Sequence, residues 1–469
     1  FHGSKPEHIS FYSYSIRGYV CDGASRKKMS KIVYNALLIR YYTQLSHDYA
    51  KECTTICTKG VLILEYITVV DAMMGRGKSS AAIQYMQDHA SHQRFLYITP
   101  FLKEVDRICE FCEFDQPEAE KDSTKSADLM SKLARGESIA STHALFYLLD
   151  SNALEIIRAK HYTLIVDESI EAITKVQISK SDYELVLGYL TEIADDGKVV
   201  WKNDDYSGSM WRYKRIADAG WLYCINHELV QLPSPDLFRA FDRVYMLTYL
   251  FKGQYQSAYF DFFGIPYEIV GVERDSDGFR FSNRPDCPPP TDFKSLIRVL
   301  EKDKLNDVGK SKHALSKTWY EKRGADHPDM VRVRRNMDNY FRNISQSSAE
   351  ARLWTCFKES ASKLEGQNKR RYKPSFLQIS ARATNEYRDR TVLAYMVNRF
   401  ADPGMTIFFR SRNCFVNEDL FALSSMLQWI WRSAIRDGRE INIYLPSRRM
   451  RDLLYGWMDR VAEGGEFIA

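Results

Sequence analysis

No stretch of this chain is apolar for long enough to span a bilayer. The longest such run, residues 61–74, is interrupted by Glu65 and Asp71, whereas a crossing helix needs roughly 20 apolar residues. No leader of the secretory kind is expected at the start, and the opening Phe1-His-Gly-Ser4 resembles a cleavage scar and is set aside. Cysteine is sparse and irregular: nine residues scattered over 469. That fits reduced thiols in a cytoplasm better than a disulfide framework. A large charge imbalance is missing too. The 66 basic and 61 acidic residues leave a net +5, too little to require a polyanionic partner, so where the charges lie matters more than their sum. What the chain does have is bulk: 45% hydrophobic and 13% aromatic residues, enough for two or three domains with large cores.

The most informative stretch is Tyr66-Ile-Thr-Val-Val-Asp-Ala-Met-Met-Gly-Arg-Gly-Lys-Ser-Ser80. A β-branched run breaks into glycines and then Lys-Ser, which predicts a strand, a phosphate-binding loop and a helix start. A triphosphate needs backbone N–H groups turned inward on a loop that side chains would obstruct, and Gly75 and Gly77 permit that approach. Lys78 supplies a point charge and Ser79 a hydroxyl for Mg²⁺, while the helix opening at Ser80 turns its positive end to the phosphates. Arg76 lies within the loop. ATP and Mg²⁺ are therefore the expected ligands. Ala72 stands where the general pattern has its first glycine, and the resulting Ala-x-x-Gly-x-Gly-Lys-Ser resembles motif I of superfamily 2 helicases.

A second apolar strand, His161-Tyr-Thr-Leu-Ile-Val-Asp-Glu168, delivers adjacent carboxylates at its C-terminal end. Asp167 suits Mg²⁺, held through water, and Glu168 suits the orientation and deprotonation of an attacking water. Two shorter strand endings lie between these signals: Thr99-Pro100 after Gln93-Arg-Phe-Leu-Tyr-Ile, and Thr142-His143 after Ser138-Ile-Ala-Ser. They resemble motif Ia and the next strand-contacting motif of the same enzymes, and hydroxyls at helix starts suit phosphates without reading bases. An ordinary helix cap would look the same. Residues 171–239 read as an insertion with polar turns, after which Leu247-Thr248-Tyr249 closes another strand. In place and form it resembles motif III, which implies a coupling role for Thr248, although Tyr249 replaces a small residue. Cys109 and Cys112 are three apart on one helix face, so a metal cluster with Cys53 and Cys57 is not expected. No glutamine motif precedes the phosphate loop.

Beyond a boundary placed near 264, basic residues gather at 310–322, at Arg332, Arg334, Arg335 and Arg342, and at Lys369, Arg370 and Arg371. This is where charge suggests nucleic acid, with solvated helix faces as the alternative. Two stretches carry the family likeness: Phe376-Leu-Gln-Ile-Ser running into Ala381-Arg-Ala-Thr-Asn-Glu-Tyr-Arg-Asp-Arg390, and Leu427-Gln-Trp-Ile-Trp-Arg-Ser-Ala-Ile-Arg-Asp-Gly438. Both resemble the C-terminal half of DEAD/DEAH-box-type superfamily 2 helicases encoded by bacteriophages and prophages, and the likeness extends over about 62–458. It implies that Thr384 lies in motif V and Gln428, Arg432 and Arg436 in motif VI, one arginine serving as the finger on the γ-phosphate. Spaced four apart, the two arginines would share one face of a helix.

The expected fold is α/β, with two tandem RecA-like P-loop domains behind an N-terminal helical accessory segment: 1–60, then 61–263 with the insertion, then 264–469. The expected function is an ATP-dependent nucleic-acid helicase or translocase in the cytoplasm, that of the host if phage-encoded. Its partners would be nucleic acid, DNA ahead of RNA, and replication or recombination proteins. A viral DNA-packaging ATPase would also need an acidic nuclease cluster, and no convincing one follows residue 264. A binding scaffold with a vestigial ATPase would not need Lys78, Asp167, Glu168 and Arg432 intact.

Overall fold

A computed structural model describes residues 66–119, 123–276, 278–286, 291–366, 372–379 and 386–464. All belong to the second of the two units into which the chain divides, Ile63–Ala469. The accessory segment expected at 1–60 lies outside the described residues, as do Cys53, Cys57, Lys369, Arg370, Arg371 and Thr384.

The first sheet is built from β1 (Ile67–Asp71), β2 (Arg94–Thr99), β3 (Ile139–Thr142) and β4 (Tyr162–Asp167). An insertion then carries β5 (Thr174–Lys175), β6 (Thr191–Ile193), β7 (Val199–Trp201), β8 (Leu222–Ile225) and β9 (Glu228–Gln231). The sheet resumes with β10 (Arg243–Thr248) and β11 (Tyr267–Val270), followed by a hairpin of β12 (Val272–Arg274) and β13 (Phe279–Phe281). The second sheet holds β14 (Ile297–Val299), β15 (Arg352–Thr355), β16 (Val392–Tyr395) and β17 (Ile441–Tyr444). The strand orders are β11-β1-β10-β4-β2-β3 and β14-β17-β16-β15, and every pairing in both is parallel. Parallel strands covered by helices on both faces must be apolar along their length, and β2 and β4 accordingly bury almost every residue. The α/β class and the two tandem RecA-like domains are thus present.

The helices include α1 (Lys78–His89), α2 (Leu102–Cys112), α3 (Tyr255–Phe262), α4 (Pro328–Asn339), α5 (Pro403–Arg410), α6 (Glu418–Ile430) and α7 (Arg448–Ala462). Side chains outside the last three fix where they begin: Asp402, Asn417 and Ser447 each accept from backbone N–H groups of the first turn.

The division at 264 does not follow the sheets. β11 pairs with β1 in parallel from Ile67↔Tyr267 to Val70↔Val270, so the first sheet continues past that point. In the other direction, Met405, Phe408, Phe409 and Cys414, on or just after α5, are buried with the first sheet's core beside Tyr223 and Tyr259. The insertion has a small core of its own around Val186, Trp201, Met210 and Tyr213. Among the described residues no helix is long and apolar enough to cross a membrane.

Candidate active site

The sheet order places three strand endings side by side. β10 lies between β1 and β4, with Asp71 opposite Thr248 and Leu247 opposite Asp167. The glycine-bearing loop of residues 72–80, the Thr248 turn and the Asp167-Glu168 pair therefore share the C-terminal edge of the sheet, where open parallel sheets take their ligands. Gly75 and Gly77 have φ of 81° and 91°, values that L side chains rarely adopt, and Gly77 is the cap from which α1 starts. Lys78 reaches back to donate to the carbonyls of Ala72 and Met73, the latter at 3.2 Å. Burial pushes its ammonium below the usual lysine range, opposed by the charges of Asp71, Asp167, Asp286 and Glu168. Asp167 moves the other way. Burial first, then the neighbouring charges of Glu168 and Glu104, push it up to about 7. Glu168 has a left-handed backbone at φ 61°, strained for a side chain of this kind, and its N–H donates to Leu247 O at 3.0 Å.

From the second domain comes Arg432, whose Nη2 lies 3.7 Å from Glu168 Oε1, its side chain only 10% exposed. Its Nε is buried with no hydrogen-bond partner, so the guanidinium retains capacity for another acceptor. The shared helix face expected for Arg432 and Arg436 is not formed. α6 ends at Ile430, and Arg436 sits in a separate 3₁₀ turn, Ala434–Asp437. The break is enforced by Ser433, whose N–H and hydroxyl both bond to Ile430 O, and by Ala434 N–H, which bonds to Arg390 O. Arg436 is exposed, and its charge acts on Glu104. Gln428 donates to Ser424 Oγ one turn back at 3.4 Å.

The residues expected to contact a nucleic-acid strand fare differently. Thr99 is fully buried, since β2 turns it into the core. His143 is also buried, with Nε2 3.1 Å from the Asp167 carbonyl, so it props the acidic pair instead of facing solvent. Thr142 caps the short helix after it, and Pro100 is half-buried. Several members of the basic gathering beyond 300 are paired internally: Lys310 and Arg332 with Asp307, Lys317 with Glu321, Arg342 with Asp338. Cys109 and Cys112 lie on α2 against the first domain's core. No cluster of three or more His, Cys, Asp or Glu that could hold a metal occurs among the described residues, and Mg²⁺ at a phosphate loop needs none, because phosphate and water oxygens complete its shell.

Thr248 is buried and accepts from Gln254 Nε2 at 2.7 Å. The tyrosine after it is the larger surprise. Tyr249 enters the second domain's core, where its hydroxyl accepts from Trp457 Nε1 on α7 at 2.8 Å and its carbonyl from Ser424 Oγ on α6 at 3.2 Å. Behind it the Asp71 carboxylate accepts from Leu250 N–H and Phe251 N–H at 2.7 and 2.9 Å. Asp71, Tyr249 and Asp286 join the site without a sequence motif that marks them as site residues. A lone acid at the end of a β-branched strand was the available signal for the first.

Residues 291–458 match the family model described as the YonV C-terminal Rossmann-like domain. Over 415 residues the chain is 38% identical to the SPbeta prophage-derived uncharacterized protein YonV of Bacillus subtilis (strain 168), covering 84% of this chain and 99% of that protein. Among solved structures it is similar to S. tokodaii Xpd4, at 12% identity and a TM-score of 0.40 over 84% of this chain and 94% of that one. It is also similar to the DUF1998 helicase MrfA bound to DNA and AMPPNP, at 12% identity and a TM-score of 0.32 over 84% and 48%. At those scores neither structure lends a role to any residue here.

Proposed function

The chain belongs to the YonV family, and from that premise and the geometry of the cleft we propose that it is an ATP-driven helicase or translocase of superfamily 2 type. Its substrate is nucleic acid, DNA ahead of RNA, and its setting is prophage replication or recombination. The observation that carries the reading is the Arg432–Glu168 pair, because it joins the second domain to the acidic pair beside the phosphate loop.

The residues fit a triphosphate. Two left-handed glycines open the loop, Lys78 rests on carbonyls that it can exchange for phosphate oxygens, and Arg432 Nε is buried without a partner. Gly75, Arg76, Gly77, Lys78, Ser79 and Ser80 would hold the phosphates. Mg²⁺, held by Ser79 and Asp167, would supply positive charge to the phosphate oxygens. Glu168 orients and deprotonates the attacking water. Arg432 is the finger, since it is the arginine within reach of Glu168, and Arg436 acts from the exposed rim, with Gln428 assisting from α6. Thr248 and Tyr249 link the loop to the second domain. Nucleic acid would lie across the strand endings at Pro100 and Thr142 and along the basic run Lys369, Arg370 and Arg371 with Thr384, held by phosphate contacts and so largely independent of sequence.

The test is ATP hydrolysis with single-stranded DNA, duplex DNA and RNA, in the wild type and in Arg432→Ala and Arg436→Ala. Turnover should fall about 10³-fold in Arg432→Ala with a much smaller change in ATP affinity, and nucleic-acid stimulation should vanish. Arg436→Ala should lose less. Normal, nucleic-acid-responsive hydrolysis in both variants would remove the second domain from the catalytic site.

A further inference from the structure

After β11 the chain folds back over the phosphate loop. The β12–β13 hairpin packs on α1 so closely that a Cβ on Gly77 would fall 2.2 Å from the Phe279 ring. The returning strand is then tied down, with Gly271 N–H on Arg284 O and Ser282 N–H on Gly271 O. Gly271 also leaves the space that Asp286 fills, since a Cβ there would lie 2.5 Å from Asp286 Cα. The result is a carboxylate seated against the loop. Asp286 Oδ2 accepts from Met73 N–H at 3.4 Å, and Oδ1 lies 3.4 Å from Arg76 Nη2, with the Asp286 side chain only 6% exposed. Arg76 Nε, buried beside this contact, has no partner.

A loop built to receive anions thus already holds one. From this geometry we infer that Asp286 is an internal competitor for the phosphate loop, which the phosphates of a nucleoside triphosphate displace on binding. The inference rests on the reading of 72–80 as a phosphate loop. The carboxylate occupies a backbone N–H and an arginine of that loop, and in a low-dielectric cleft its negative charge opposes the incoming one. Both effects weaken binding in proportion to how firmly Asp286 is seated. Both contacts are long at 3.4 Å, so removing the carboxylate should tighten binding by a few-fold, up to about tenfold.

The experiment titrates the full chain with MgATP and, separately, with inorganic tripolyphosphate, which carries the phosphates without the base. Wild type is compared with Asp286→Asn, of the same shape without the charge, with Asp286→Ala, and with Lys78→Ala. Unfolding midpoints establish that each variant is folded. The expected result is tighter binding of both probes by both Asp286 variants and loss of binding in Lys78→Ala. Binding that requires Lys78 but is unchanged or weakened by Asp286→Asn and Asp286→Ala would overturn the competitor role alone, showing the carboxylate to be a bystander or a support. Equal affinity in wild type and Lys78→Ala would overturn the phosphate-loop reading and this inference with it.

Discussion

Gly253→Ala tests the joint between the domains with a single methyl group. Gly253 ends the short 3₁₀ turn Phe251–Gly253 that follows Tyr249, and it lies against α6 with nothing between. A Cβ placed there would be 2.5 Å from Leu420 C and Cβ and 2.6 Å from Phe421 N. Two of these three are backbone atoms of a helix, so no rotamer change relieves the clash. The turn and α6 must separate by about 1 Å to reach ordinary contact. Gly253 is not among the positive-φ residues, so alanine suits the backbone and the effect is one of packing alone. Overpacking of this kind costs about 1–3 kcal/mol, which urea unfolding followed by tryptophan fluorescence would read. The more telling consequence is catalytic. α6 leads directly into Arg432, whose contact with Glu168 is already long at 3.7 Å, and a misplacement of about 1 Å can cost roughly 10²-fold in rate. Turnover should drop on that scale while ATP affinity stays close to wild type, because the phosphate loop lies on the other side of the joint. If the loss passes through Arg432, adding Gly253→Ala to Arg432→Ala should slow the enzyme little further, since the two act on one interaction. A stability loss with unchanged turnover, or a double variant slower by the product of both effects, would refute the reasoning.

Glu168→Gln should hold ATP but cleave it slowly, since the amide can orient water yet cannot take its proton; turnover at the wild-type rate in single-cycle kinetics would place the base elsewhere. Neutralising Lys369, Arg370 and Arg371 together should weaken binding to unrelated DNA sequences alike and flatten the salt dependence; an unchanged salt series would make that run a solvated surface.

The strands that carry chemistry were legible because they are buried and parallel. Each reads as a largely apolar run that gives way to polar residues: Gly-Lys-Ser beyond β1, Asp167 and Glu168 at the end of β4, Thr248 at the end of β10. Their order was not legible, since nothing local says that β10 lies between β1 and β4. The boundary near 264 fails for the same reason. Gly264-Ile-Pro266 reads as a break before a new unit, whereas Tyr267–Val270 returns to the open edge of β1, a pairing 200 residues apart in sequence. The arginine helix fails locally instead. Apolar spacing through Trp429 and Trp431 favours continuing α6, but the Ser433 hydroxyl takes the Ile430 carbonyl and Arg390 takes the next N–H, so tertiary bonds end the helix where propensity would not. Tyr249 is the instructive departure. Judged against a small-residue motif it weakened the coupling role, yet its size lets it cross into the second domain, reaching Trp457 and Ser424 together.

The charges of the cleft are also arranged to satisfy one another. Lys78 leans on carbonyls of its own loop, Arg76 on Asp286, and Arg432 on Glu168. On the proposed reading a triphosphate would therefore bind by exchange, its affinity being the difference between the contacts it makes and those it breaks. The exchanges differ in consequence. Displacing Asp286 releases only a carboxylate with no place in the proposed chemistry. Drawing Arg432 onto phosphate releases Glu168, the group assigned to the attacking water. On the proposed reading one guanidinium thus restrains the base in the resting protein and frees it as it takes up its own role, which ties base release to occupancy of the loop and to the second domain's position. Arg432→Ala would free Glu168 permanently and still be slow, because an unrestrained base without the finger lacks the charge stabilisation that the exchange delivers.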